Sequence, residues 1–175
     1  MNLKNVLRNN GKSFQVGSIL IVVGLLTLLV QKAVVVIKKV PSPSPTPNAE
    51  ITKVTKVIDG DSIVISSGEE VRYIGVNTPE IQNDECFATE ASEFNKNLVL
   101  GKDVKLIKDT SETDKYGRLL RYVYIGDELI NDRLVKEGFA SVMTVFPDVK
   151  LESTFVISEN FAKINRLGLW GKCRE

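Results

Sequence analysis

The chain has 175 residues, 43% of them hydrophobic, and a formal net charge of only +1. That is enough for one domain with its own core, and too balanced for a uniformly basic nucleic-acid surface. The absence of histidine excludes Ser-His-Asp and Cys-His catalysis and histidine-bound zinc. A general base near neutral pH must then be a carboxylate, a lysine or a tyrosine, and a metal would be a hard one held by oxygen.

The charge is unevenly placed. Lys4, Arg8, Lys12, Lys32, Lys38 and Lys39 give residues 1–49 a charge of +6 with no acid, which leaves 17 basic against 22 acidic residues, a net of −5, in the remainder. Residues 1–15 form a basic tail. Residues 17–30, "GSILIVVGLLTLLV", are unbroken apolar sequence, and after Gln31 and Lys32 "AVVVI" carries the run to Ile37. From Val16 to Ile37 the segment is long enough to cross a ~30 Å hydrocarbon core at ~1.5 Å per residue. A cleaved signal peptide is the competing reading. Cleavage prefers small residues at the two recognition positions, however, and "VQKA" has Gln31 in the earlier one. Residues 16–37 are therefore expected to be an uncleaved single-pass transmembrane anchor. The slight basic excess before it places the N-terminus inside, the tail in the cytoplasm and the rest of the chain outside the membrane. Residues 38–49 contain "PSPSPTPN", which prefers extended polyproline geometry and reads as a stiff linker.

From Glu50 the pattern changes. "ITKVTKVI" alternates as a strand, "DGD" turns, "SIVIS" is β-branched, "SGEE" turns again, and "VRYIGV" is a third strand. "ATEASEFNKNLVLG" carries Ala91, Phe94 and Leu98 at helical spacing and ends on Gly101. "DVKLIKD" and "RLLRYVYI" read as two more strands. "LINDRLVKEG" is a short helix stopped by Gly138, and "ESTFVISENFAKINRLG" is a longer closing helix with Phe155, Ala162 and Leu167 near one face. Five strands and three helices in this order predict an α+β domain over residues 50–175, a five-stranded OB-type barrel with helices packed beside it. Two cysteines, Cys86 and Cys173, allow one disulfide in an oxidising compartment or two free thiols in a reducing one.

Polar clusters punctuate the strands: "IDGDS" (Asp59, Asp61), "VRYIGVNTPE" (Arg72, Asn77, Thr78, Glu80), "DKYGR" (Asp114, Lys115, Tyr116, Arg118) and "RYVY" (Arg121, Tyr122). Taken singly, each reads as a turn or a solvated charge face. "DGD" also fails as an EF-hand start, because Ile63 and Val64 stand where a ligand and a glycine are needed. The combination says more. Guanidinium forks suit phosphate oxygens, carboxylate and carbonyl oxygens suit a hard divalent cation, and a remaining acid can take a proton from water. Together they equip water to attack a phosphodiester.

"VIDGDSIVI", "VRYIGVNTPE", "ATEAS", "DKYGRLLRYVY", "LVKEGFA" and "SENFAKINRLGLW", in that order from Thr52 to Trp170, resemble the staphylococcal nuclease (thermonuclease) family. The resemblance implies a five-stranded OB barrel with three helices, and hydrolysis of DNA and RNA with calcium to 5′-hydroxyl and 3′-phosphate ends. It implies calcium ligation by Asp61, by Asn77 and by the Thr78 carbonyl, with Asp59 standing behind them. Glu80 would orient or deprotonate the attacking water, and Arg72 and Arg118 would grip the scissile phosphate. Tyr116 would contact a terminal phosphate, with Lys115 beside it. Asn77 departs from the family pattern, where many members have an aspartate. Thr144 and Phe146 stand where well-known members carry two tyrosines, and only Phe146 can stack on a base. The two cysteines are additions, and a bridge between them would fasten the loop after Glu80 to the C-terminus.

The expected function is thus a membrane-tethered, monomeric, calcium-dependent and sugar-nonspecific endonuclease that favours single-stranded or unpaired DNA and RNA. The alternative is a non-catalytic OB module at the cell surface that binds nucleic acid or protein. Retention of Glu80 with both arginines speaks for the enzyme, since a pure binder has no use for a water-activating acid.

Overall fold

The computed structural model describes residues 49–173. The basic tail, the expected transmembrane anchor and the linker up to Asn48 lie outside them. Among the described residues no helix is long and apolar enough to cross a membrane.

Five strands close a barrel: β1 (Ala49–Asp59), β2 (Ser62–Ile65), β3 (Glu70–Tyr73), β5 (Asp103–Ile107) and β6 (Leu119–Ile125). β1 pairs antiparallel with β2 and β5, β2 with β3, and β5 with β6. Closure is the parallel pairing of β3 with β6, in the register Val71↔Leu119, Arg72↔Leu120, Tyr73↔Arg121. Three helices pack on the barrel: α1 (Ala88–Val99), α2 (Ile130–Lys136) and α3 (Glu152–Ile164). Smaller pieces complete it: β4 (Val76–Asn77) paired with β8 (Ser141–Val142), β7 (Glu128–Leu129) beside β6, and a four-residue α4 (Leu169–Lys172). The expected five-stranded OB barrel with three helices is present in the described residues.

Inward positions of the strands supply the core: Val54, Ile63, Ile65, Val71, Tyr73, Val104, Leu106 and Val123 are all nearly fully buried, and Leu134 and Phe155 close the end on α2 and α3. Among the described residues, the buried hydrophobic ones fall between Val54 and Ala162. Residues 45–175 form a compact unit of their own. Two buried amides join the layers. Asn95 of α1 accepts from Tyr73 Oη (3.0 Å) and donates to the Asp59 carbonyl (3.2 Å). Asn131 of α2 accepts from Val123 N (2.9 Å) and donates to the Ile74 carbonyl (2.9 Å). Asn131 satisfies two backbone groups and Asn95 one backbone carbonyl and the Tyr73 hydroxyl; a buried polar group left unpaired costs about 1–3 kcal/mol.

The third strand departs from expectation. "VRYIGV" does not run through to Val76; it breaks at Ile74 and Gly75, and Val76–Asn77 leaves to pair with β8. The cause is Gly75, whose φ of +80° only glycine adopts without strain. A Cβ there would also stand 2.5 Å from the Phe155 ring. Gly75→Ala is expected to destabilise the fold by about 2–4 kcal/mol, from left-handed strain plus overpacking. Urea denaturation measures it, and a midpoint like that of the parent chain contradicts the account.

Candidate active site

The break after β3 turns "NTPE" across the barrel end, where the turn between β1 and β2 meets it. Asp61 lies on that turn, 2% exposed. Its backbone N–H donates to Asp59 Oδ1 (3.1 Å), and its own Oδ2 accepts from Thr78 N (2.8 Å) while Oδ1 accepts from Ser62 Oγ (3.1 Å). The approach is close because position 60 is glycine: a Cβ there would meet the Thr78 side chain at 2.6 Å. Burial holds the Asp61 carboxyl above the usual carboxylate range; Arg72 opposes the shift and Asp59 adds to it.

Arg72 is enclosed by acceptors. Nη1 donates to the Tyr73 and Val76 carbonyls, both at 2.7 Å, and so ties together the two ends of the strand break. Nη2 lies 3.0 Å from Asp61 Oδ2 and 3.0 Å from Asn77 Oδ1. Asn77 Nδ2 in turn donates to the Thr78 carbonyl (3.2 Å). The oxygens of Asp61 and Asn77 thus converge on one cationic nitrogen, and the Thr78 carbonyl adjoins them. This donor set is all oxygen, with one carboxylate buried and a second, Asp59, behind it. It fits a hard divalent cation, which would compete with Arg72 Nη2 for the same two oxygens. The set is lean in charge: among the described residues no three acids form a metal-binding cluster.

Arg118 comes from the other arm of the barrel closure, at the end of the "DKYGR" turn. Asp114 Oδ1 accepts from the backbone N–H of Tyr116 (2.9 Å) and of Arg118 (3.0 Å), and Asp114 Oδ2 from Arg118 Nε (2.7 Å). Burial works against charge on both groups, but this hydrogen bonding overrides it, lowering Asp114 and raising Arg118. Glu70 stands 3.7 Å from Arg118 Nη1. The far edge of the guanidinium remains available, beside the Tyr116 ring at 5.6 Å.

A groove of about 610 Å³ gathers these pieces. Arg72, Asn77, Glu80, Asp114, Lys115, Tyr116, Arg118 and Phe146 all line it, and Asp61 sits behind Arg72. Glu80 is half-buried at the mouth, where its backbone N–H donates to Glu85 Oε2 (2.9 Å). Tyr116 and Phe146 are 73% and 85% exposed, and Met143 and Val145 line the groove with them. This is an apolar rim on which unpaired bases can stack. Lys115 lies over the Tyr116 ring at 4.9 Å. Thr144 is exposed and is not part of the wall. Arg121 and Tyr122, grouped with the site by sequence alone, are elsewhere: Arg121 pairs with Glu112, and Tyr122 donates to Asp109 Oδ2 (2.8 Å) from within the core. The sequence reading missed Ser111, Thr113, Met143, Val145 and Asp148 in the wall. Asp148 caps the "TSET" loop by accepting from Thr110 and Ser111 N–H (2.9 and 2.8 Å), and no local pattern announces that.

A disulfide joins Cys86 to Cys173 across 87 residues. It fastens the segment that follows Glu80 to the end of α4.

Comparison with known proteins adds relatives to this geometry. The family model described as "Staphylococcal nuclease homologue" matches residues 70–172. The chain is similar to Thermonuclease of Staphylococcus hyicus, 34% identical over 130 residues that cover 70% of this chain and 77% of that protein. It is 37% identical over 124 residues to Thermonuclease of Staphylococcus intermedius, covering 67% and 74%. It is 40% identical over 126 residues to Endonuclease YncB of Bacillus subtilis, covering 67% and 60%.

Proposed function

Because the chain belongs to the staphylococcal nuclease family, we propose that it is a calcium-dependent, sugar-nonspecific endonuclease. It hydrolyses phosphodiester bonds of DNA and RNA to 3′-phosphate products and is held at the outer face of the cytoplasmic membrane by residues 16–37. The observation that carries the reading is the single groove lined by Glu80, Arg72 and Arg118 together, in a chain with no histidine to serve as base.

In this reading a strand of nucleic acid lies along the groove with its bases against Phe146 and Tyr116 and a phosphate at the arginines. Arg118, held by Asp114 with one edge open, donates to the non-bridging oxygens. Its hydrogen bonds strengthen as negative charge accumulates on the five-coordinate phosphorus. Arg72 fixes the strand break and, through Nε and any donor freed from Asp61 and Asn77, faces the same charge. Glu80 orients a water in line with the P–O5′ bond and takes its proton. The water oxygen bonds to phosphorus, the P–O5′ bond breaks, and the leaving oxygen takes a proton from solvent water to become the 5′-hydroxyl, while Glu80 returns its proton to solvent. Calcium, held by Asp61, Asn77 and the Thr78 carbonyl, would act as a Lewis acid on a phosphate oxygen.

The test is to incubate the protein with single-stranded DNA and RNA, with calcium or with chelator, and to analyse product ends. Calcium-dependent cleavage to 3′-phosphates is expected. Tight binding of the strands without cleavage would instead support the non-catalytic module, a reading favoured by the lean charge around Asp61. Asn77→Asp adds a negative charge and removes the donor that occupies the Thr78 carbonyl. It is expected to tighten calcium binding several-fold, as read by isothermal titration calorimetry; an unchanged or weaker affinity removes Asn77 from the ligand set.

A further inference from the structure

Helix α3 is apolar on two sides. Its inner face buries Phe155, Ser158 and Ala162 against the domain. Its outer face carries Ile157, Phe161 and Ile164, exposed by 71%, 47% and 82%, with Val156 at 40% on the flank. Residues spaced i, i+4 and i+7 form one stripe along a helix, and a surface helix ordinarily has polar residues there. An aligned apolar patch of this kind marks a surface that something covers.

The charges around the stripe indicate what covers it. Lys136 Nζ reaches over the Phe161 ring at 5.8 Å, and Lys163 and Arg166 flank Ile164 in the chain. The acid nearest in sequence, Glu159, is occupied: its carboxylate accepts from Val142 N–H (2.8 Å) and from Lys163 Nζ (2.8 Å). Among the described residues no acid forms an ion pair with Lys136 or Arg166. An apolar centre with basic edges is the chemistry of a surface that settles on a lipid bilayer with anionic headgroups. A second copy docked symmetrically on the same stripe would instead bring these cations against their own counterparts.

We infer that the outer face of α3 docks on the anionic bilayer to which the chain is tethered. The inference rests on the reading of residues 16–37 as an anchor. On that reading the Pro/Ser-rich sequence before β1 is a short tether: eleven residues of polyproline type would span at most ~34 Å at ~3.1 Å each. The domain so held meets the bilayer at an effective concentration near the millimolar range, so a weak surface attraction suffices to seat it. Seating on α3 would fix which way the groove faces.

The experiment separates the docking from the anchor and from catalysis. Residues 45–175, a compact unit that holds the described core and the disulfide, are sedimented with vesicles of phosphatidylcholine alone or mixed with phosphatidylglycerol. Binding to the anionic vesicles is expected, weakened by added salt. The triple variant Ile157→Ser, Phe161→Ser, Ile164→Ser should bind at least ~10-fold more weakly, with unchanged circular dichroism and unchanged cleavage of dissolved DNA. Should the triple variant fail to fold, Lys136→Glu with Arg166→Glu tests the basic edge and is expected to reduce binding too. No binding by the parent domain, or equal binding by the variants, overturns the inference. So does a dimer in solution that the triple variant abolishes while vesicle binding is absent. Alkaline extraction of the full chain from membranes tests the anchor independently.

Discussion

Glu80→Gln is expected to lower turnover on single-stranded DNA by roughly 10²–10⁴-fold, the range over which a positioned acid or base contributes, with little change in folding or calcium affinity. The structure explains why the two effects separate. Glu80 holds its loop through its backbone: its N–H meets Glu85, and its carbonyl accepts from Asn83 and Glu85 N–H at 3.3 Å each. Among the described residues no donor satisfies its carboxylate, so the amide removes no structural bond. Steady-state kinetics beside a thermal melt would measure both, and near-normal turnover in a folded variant refutes the role given to Glu80.

The second large effect distinguishes the two arginines. Arg118→Lys is expected to cost about 3–4 kcal/mol of transition-state stabilisation, roughly 10²–10³ in kcat, because a single ammonium cannot both hold Asp114 and present a planar fork to phosphate. The fold should survive, since the Asp114 turn is also closed by backbone donors from Tyr116 and Arg118. Arg72→Ala should fail differently. It strips donors from the Tyr73 and Val76 carbonyls and from Asn77, and leaves the buried Asp61 without its cation. Removing one partner of a buried pair costs about 3–5 kcal/mol, so this variant should lose stability along with activity. Denaturant melts compared with kcat give the contrast; a fully stable Arg72→Ala contradicts the bonding described here.

The sequence was informative where a residue's role follows from its neighbours along the chain. Alternation in "ITKVTKVI" and "SIVIS" announced β1 and β2, and the helical spacing of Ala91, Phe94 and Leu98 announced α1. The polar clusters between strands pointed to Arg72, Asn77, Glu80, Lys115, Tyr116 and Arg118, which line one groove. Roles set by contacts distant in sequence were hidden. Asn95 and Asn131 read as ordinary polar helix positions, yet both are fully buried, because their partners, Asp59, Ile74 and Val123, are placed by barrel closure. Arg121 stood in a polar cluster of the sequence, but it is buried and pairs with Glu112, away from the groove. The split of "VRYIGV" depended on Gly75 taking a positive φ against Phe155, a residue 80 positions later in the numbering.

The parallel seam between β3 and β6 also orders events in time. Arg72 and Glu80 belong to the first half of the chain, whereas the stretch that delivers Arg118 is tied in only when β6 reaches β3. Pairings so remote in sequence carry a loop-closure cost and are slow to form. A polypeptide ending before Arg118 therefore holds Arg72 and Glu80 without the second guanidinium, and without the residues Leu119–Arg121 that would bring it to β3. Any activity of this site thus waits on closure of the barrel, because that seam brings the arm carrying Arg118 to the groove that Arg72 and Glu80 line.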